Sequence, residues 1–392
     1  MVMLSEGLLK RAVETLYANV VEYNGRRCVV PHVSYYPWIY CWDTALHVIA
    51  LSYVDPALAK ENVEALLSTQ GRDGMIPNAP TPKDDQDMRS QPPLIIHAVR
   101  RYAEITADID SVRSWYDRLA KFYWWWRRRG VPPSSSNSLA SPFTGARRTT
   151  DLIGYWAVCS TGMDNHPIYD GLGGGIVYGD GLFYIPVKDL LLNSILAESA
   201  DSLSKLAEQI GRLDDKMEMR REFEKLSHTI NAQMWYSRDS FYYPLTFDGE
   251  HVKTLSCQGF TPLIAGIPSR GEAERLIQHL TSPREFWTEH GITSIAQSDP
   301  KFMTPQPSWL HSRDPYYWRG PIWAPIQYIT YAGLRKYGEN RNARRLAENW
   351  LETMGRDPLF PEYYYPDGSL GLKKLTHFSW TAAVTIIFLN EC

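Results

Sequence analysis

Along most of this chain apolar residues recur at steps of three and four, the spacing that gathers them on one face of an α-helix. Leu9, Ala12, Val13, Leu16 and Val20 form one such face, and Ala59, Val63, Leu66 and Leu67 form another. The second follows Asp55-Pro56, an N-cap and a first-turn proline. Leu94, Ile95, Ala98, Val99, Tyr102 and Ile105 make a third, opened by Pro92-Pro93. Similar patterns over 43–54, 111–129, 182–210, 214–235, 270–280, 322–337, 341–354 and 378–390 bring the expected helices close to a dozen. Strand signals are sparse. The clearest is 241–255, where FYYPLTF and HVKTL flank Asp248-Gly249, which predicts a small β-hairpin.

Loops rich in Pro, Gly, Asn and aromatics separate the helices at 29–42, 71–91, 132–179 and 297–322. The Ser-rich stretch 134–141 reads as a surface loop rather than a linker, so residues 1–392 are expected to form a single domain. Helix–loop–helix alternation without a sequence period predicts an all-α toroid of helical hairpins with function in its loops, rather than an armadillo-like solenoid.

Composition narrows the classes. A formal net charge of -3 gives no general attraction to nucleic acid or an anionic membrane. No apolar run approaches membrane-spanning length, and residues 1–20 lack the apolar core of a signal peptide. Cys28, Cys41, Cys159, Cys257 and Cys392 are odd in number and scattered, which suits neither a disulfide framework nor a zinc cluster. A cytoplasmic setting is therefore expected. The 14 Trp and 24 Tyr often stand beside Gly, Pro, Asp or Asn, where flat apolar faces with polar edges suit a sugar; core filling is the plainer explanation.

Cleaving a glycosidic bond usually needs two carboxyl groups, one protonated and one ionised. Most of the 44 acidic residues lie on solvated helix faces among basic neighbours, as Glu218, Glu222 and Glu224 do. Three stand in aromatic or Gly/Pro loops: Asp43 after Tyr36, Tyr40 and Trp42; Asp164 in STGMDNHP; and Glu362 before three tyrosines. Partial desolvation against such rings raises a carboxyl pKa. Each also has a structural explanation, as a helix cap for Asp43 or a turn residue for the others.

The segments YCWDTALHVIAL, STQGRDGMIPN, SQPPLIIHAV, STGMDNHPIYD, YYWRGPIWAP and EYYYPDGSLG with FSWTAA resemble, in order, the motif series of glycoside hydrolase family 63. The resemblance implies an (α/α)6 barrel and inverting hydrolysis of an α-glycoside. It implies Asp164 as general acid and Glu362 as general base. It also places Tyr36, Tyr40, Trp42, Asp43, Asn78 and Gln91 around the sugar, and Trp318, Arg319, Gly320 and Trp323 along the base-side wall. Trp380 is expected behind Glu362. Trehalases are similar in WD and QPP but would carry an SGWD-type acid motif where this chain has TGMDN.

Arg319 is expected to pair with a carboxylate such as Asp43 rather than to bind substrate. No HxH or HExxH arrangement exists, so no transition-metal site and no cofactor are expected. Asp84, Asp85 and Asp87 form the one compact acidic cluster, a candidate for calcium or simply an exposed loop. GLGGGIVYG at 171–179 lacks a P-loop lysine and reads as a loop beside the acid motif. The short chain suits a small soluble carbohydrate as its partner. A short α-glucoside stands first. Mannosyl- or glucosylglycerate follows, since a glycerate carboxylate wants a basic clamp and only Arg147, Arg148 and Arg313 are at hand. A sugar-binding relative without turnover and a helical scaffold for protein partners are the other classes.

Overall fold

Twelve α-helices, counted among the described residues, alternate between an inner and an outer ring. The computed structural model describes residues 2–79, 90–129, 152, 161–170, 176–177, 183–185, 187–246, 248–306, 314–356, 359–371 and 375–392. In chain order the helices are α1 Val2–Ala18, α2 Cys41–Val54, α3 Pro56–Ser68, α4 Leu94–Thr106, α5 Ile109–Arg129 and α6 Leu190–Gln209, followed by α7 Leu213–Met234, α8 Pro262–Ala265, α9 Arg270–Thr281, α10 Ala324–Lys336, α11 Asn340–Arg356 and α12 Ser379–Glu391. The even-numbered helices touch in sequence, α2 on α4, α4 on α6, α6 on α8, α8 on α10, α10 on α12, and α12 back on α2. That closes a ring. Odd-numbered helices pack outside it, α1 on α12, α3 on α2, α5 and α7 on α6, and α11 on α10. The fold is an (α/α)6 barrel.

Sequence explains which helix goes where. In α2 every residue from Cys41 to Ser52 is buried, and in α12 every residue from Ser379 to Phe388. Such helices are buried on all sides and belong inside a ring. By contrast α7 buries only Met219, Leu226, Ile230 and Met234, and α11 keeps one apolar stripe through Ala343, Leu346, Ala347, Trp350 and Met354. Those are outer helices.

Local signals set the boundaries. Asp55 accepts from Leu58 N at the start of α3, with Pro56 in the first turn. Ser269 and Glu272 form a reciprocal capping box on α9. The expected helix 182–210 begins at Leu190 instead, because two short strands, Phe183–Tyr184 and Val187–Lys188, precede it and Asp189 caps it. The four-residue α8 is too short for a periodic signal.

The expected hairpin at 241–255 is only partly one. A turn does form at Asp248-Gly249, with a single bridge between Leu245 and His251. The arms find other partners: Phe241–Tyr242 pairs with Trp235–Tyr236, and Leu245–Thr246 pairs with Val187–Lys188. The cleanest hairpin is elsewhere, Val20–Tyr23 against Arg26–Val29. Its Asn24-Gly25 turn has φ values of 50° and 72°, the left-handed pair that a two-residue hairpin demands. That Asn-Gly signal stood in the sequence.

Candidate active site

The candidate residues collect at the N-terminal starts of α2 and α12 and just ahead of α4. Trp42 and Asp43 lie in the first turn of α2, where the helix dipole favours a carboxylate. Gln91 precedes α4, and its Oε1 accepts Trp42 N at 3.2 Å. The 314–323 segment leads into α10, and Glu362 lies upstream of α12, whose second residue is Trp380. Together with Asp164 they surround a cavity of about 220 Å³. This is below the roughly 300–1,000 Å³ usual for drug-sized ligands and suits little more than one sugar ring.

Tyr36, Tyr40, Trp42, Asp43, Asn78 and Gln91 all line this cavity, as do Asp164, Glu362 and Trp380. Gly162, Tyr317, Pro31 and Phe378 join them. The Trp380 indole donates to Glu362 O at 2.9 Å, which fixes the backbone at the carboxyl. Gly162 has φ 71°, and a Cβ there would stand 2.7 Å from the Trp42 ring, so a glycine lets the acid loop lie against the indole.

The four residues of YWRGPIW stand one layer back. Trp323 stacks on Trp318 with centroids 3.9 Å apart and on Tyr363 at 4.7 Å, and Trp318 in turn meets Trp42. Gly320 turns the chain at φ 149° against Met303. Arg319 is buried, but not against Asp43: Nη1 and Nη2 reach Asp170 at 2.9 and 2.8 Å, and Nε donates to Thr304 O. The pairing expected for Arg319 thus holds in kind but with a different carboxylate. Asp43 sits in the α2 first turn lining the cavity, while Asp170 ends the STGMDNHPIYD segment just after the 3-10 turn Pro167–Tyr169. Instead of these four, Tyr317 takes the wall. Its hydroxyl donates to Glu362 Oε1 at 2.5 Å. Tyr317 and Asp170 both lay inside quoted motifs, but nothing in their spacing singled them out.

Electrostatics at the cavity follow from burial. Desolvation pushes Asp164 up to about 7 and Glu362 up to about 8, with the Asp164 charge adding to the latter. The Tyr317 hydrogen bond and the neighbouring Tyr36 phenol pull Glu362 the other way, because phenol donors favour the anion. Asp43 is raised well above the ordinary carboxylate range, again by burial. His166, two residues beyond Asp164, is lowered to about 3 by burial and stays neutral; it lies between Ser256 and the Ile168 amide.

Among the described residues, three buried acceptor oxygens facing this cavity have no protein donor: Asp43 Oδ1, Asn78 Oδ1 and Glu362 Oε2. An unmade hydrogen bond on a buried polar atom costs roughly 1–3 kcal/mol, more for a charged one. Three in one small aromatic-walled cavity call for a ligand rich in hydroxyl donors.

The likeness to known proteins agrees with this chemistry. Residues 36–381 match the mannosylglycerate hydrolase MGH1-like glycoside hydrolase domain. The chain belongs to that family of glycoside hydrolases, within glycoside hydrolase family 63. It is 24% identical to mannosylglycerate hydrolase MGH1 of Selaginella moellendorffii, over 92% of this chain and 82% of that one. To the mannosylglycerate hydrolase of Rubrobacter radiotolerans it is 31% identical over 52% of its own length, and that match spans only 44% of the relative. A family 63 mannosylglycerate hydrolase from Thermus thermophilus, solved with glucose, superposes with a TM-score of 0.77 at 25% identity, covering 97% of this chain and 99% of that one.

Among the described residues no helix is long and apolar enough to cross a membrane. The described residues hold no cluster of three or more His, Cys, Asp or Glu side chains suited to a metal ion. Asp84, Asp85 and Asp87, the Ser-rich stretch, most of 171–179, and Arg147, Arg148 and Arg313 lie outside the described residues.

Proposed function

We propose that this protein hydrolyses the α-glycosidic bond of a small glycosylglycerate with inversion at the anomeric carbon, mannosylglycerate being the first candidate and glucosylglycerate the second. The sequence alone ranked short α-glucosides ahead of these; relatives named as mannosylglycerate hydrolases reverse the order. The observation that carries the reading is the set of unpaired acceptors around one ring-sized cavity between two carboxyl groups.

In this mechanism Asp164, protonated, gives its proton to the leaving glycerate oxygen as the C–O bond breaks. Burial keeps that proton on Asp164 near neutrality. Glu362, ionised, accepts a proton from the water that attacks the opposite face, its Oε2 being free of protein partners among the described residues and its Oε1 held by Tyr317. With Glu362 lifted to about 8 and Asp164 to about 7, the reacting form, Glu362 ionised and Asp164 protonated, is the minority singly protonated form, and the phenol contacts on Glu362 raise its share. Asp43 and Asn78 take hydrogen bonds from sugar hydroxyls, while Trp42 and Trp380 offer ring faces.

The test is NMR of the sugar released from mannosylglycerate, glucosylglycerate and a panel of short α-glucosides. Initial appearance of the β-anomer from a glycosylglycerate is expected. Appearance of the α-anomer means retention and sinks the mechanism, and preference for an α-glucoside restores the other ranking. The pH profile is a second expectation. Activity needs Glu362 ionised and Asp164 protonated, so it falls on the acid side as Glu362 gains its proton and on the alkaline side as Asp164 loses its own. With the two carboxyls lifted to about 8 and 7, the pair titrates together and kcat/KM should peak near neutrality. A peak at about pH 4–5, where unperturbed carboxyls titrate, would contradict this account of burial.

A further inference from the structure

The two carboxyls lie on separate segments, and one turn between them holds both. This turn, 314–319, touches the acid loop on one side through Asn165. The Asn165 side chain accepts from Trp318 N at 2.8 Å and donates to Pro315 O at 3.3 Å, and it is buried. On the other side Asp314 reaches the base strand. Its Oδ2 accepts from Tyr365 at 2.6 Å and from Tyr363, the residues three and one beyond Glu362, while Oδ1 accepts Tyr316 N at 2.9 Å. Tyr317, in the middle of the turn, bonds Glu362 itself.

We infer that the 314–319 turn is a ruler that sets the separation of the acid and base carboxyls, with Asn165 and Asp314 as its two fastenings. Both are positioning residues. The inference rests on the hydrolytic reading above. Inversion needs room for one water between base and anomeric carbon, with the acid still in reach of the leaving oxygen. Neither carboxyl stands on a helix: Asp164 lies in a turn of the 161–166 loop, and Glu362, its backbone tied by Trp380 and Leu375, just precedes a two-residue strand. Asn165 neighbours the acid directly and fixes it to the turn. Asp314 gathers two phenols from the base strand and so sets the height of that strand above the same turn. Arg319 adds a third tie, from Nη1 to Asn165 O at 3.2 Å and to Asp170, so losing the Asn165 side chain leaves the acid loop attached but loose.

The chemistry separates the two ends. An α-glycosyl fluoride loses fluoride with its electron pair and needs no proton from an acid, though its attacking water still gives a proton to the base. Azide attacks without a base; its C–N bond forms as the glycosidic C–O bond breaks, the leaving oxygen takes the Asp164 proton, and the product is a β-glycosyl azide. Asn165→Ala should therefore lower kcat on the glycosylglycerate on the order of 100-fold, as expected of a displaced catalytic group, but leave turnover of α-mannosyl or α-glucosyl fluoride within a few-fold of wild type. Asp314→Ala should lower both, be rescued by azide, and be largely restored in Asp314→Asn, which keeps an acceptor for the phenols. If Asn165→Ala does not fold, Asn165→Ser, which keeps an acceptor for Trp318 N, is read the same way. A uniform loss on glycoside and fluoride without azide rescue, or no change in either variant, overturns the ruler. If Asp164→Asn and Glu362→Gln are inactive while the Asn165 and Asp314 variants behave as wild type, the ruler falls and the hydrolytic reading stands. A wild type without turnover on any substrate overturns both.

Discussion

Asp164→Asn and Glu362→Gln should each lower kcat/KM on the preferred glycosylglycerate by about 10²- to 10⁴-fold, the usual worth of a positioned general acid or base. Neither should unfold the protein. Burial raises the pKa of both groups, which means the fold disfavours their charged forms. An amide of the same shape removes that cost, so the melting temperature should stay level or rise, as is common when a strained catalytic group is replaced. Glu362→Gln loses the group that takes the proton from water yet keeps an oxygen for Tyr317. Initial rates and thermal unfolding on the same preparations decide the matter. A loss of less than tenfold in either variant would remove that residue from the mechanism. A matching collapse in stability would instead make the carboxyl structural.

The second large effect involves residues that do not line the cavity around Asp164 and Glu362 and concerns stability alone. Glu198 of α6 is fully buried and is held by His97 Nδ1 at 2.8 Å, Arg100 Nη2 at 3.2 Å and Lys336 Nζ at 3.2 Å, from α4 and α10. One carboxylate thus ties α6 to both α4 and α10. Glu198→Ala should cost about 3 kcal/mol, the lower end for breaking a buried ionic cluster, because Lys336 and Arg100 keep some access to water. Urea unfolding measures it, and kcat and KM should hardly move. The pH dependence follows from sign. Burial alone would raise the Glu198 pKa, but Lys336, the His97 hydrogen bond and Arg100 outweigh it and hold it well below its unfolded value of about 4.3. Its contribution is therefore full above that value and is lost as pH falls through the lower folded value, so wild type and variant should converge only in acid. A gap that persists unchanged to low pH would mean that packing, not charge, is what the alanine removed.

How much of this was written in the chain can be judged from particular residues. The helix pattern and the caps at Asp55 and Pro56 were visible because helix period acts on neighbours three and four apart. Asp43, Asp164 and Glu362 were visible through motif resemblance and their aromatic company. Tyr317 was not, because one tyrosine among 24 gains meaning only when its hydroxyl meets a carboxylate 45 residues away. Arg319 could be expected to pair with a carboxylate, since a buried guanidinium needs one, but its choice of Asp170 over Asp43 depends on which loop crosses it. The arms at 241–255 carried a fair hairpin pattern, yet pair with 187–188 and 235–236 instead. Strand pairing is a contest among all available edges, and turn chemistry enters only one competitor.

By itself, then, the sequence determined the helices, their order and the residue types capable of acid–base chemistry, all consequences of local periodicity and intrinsic reactivity. Only the tertiary structure decided that the starts of α2 and α12 meet Asp164 and Glu362 around one cavity, that three buried oxygens there lack partners among the described residues, and that the 314–319 turn touches both carboxyl segments. Those are relations between segments far apart in the chain. Hydrogen bonds and desolvation act over a few ångströms of space, whatever the distance along the chain.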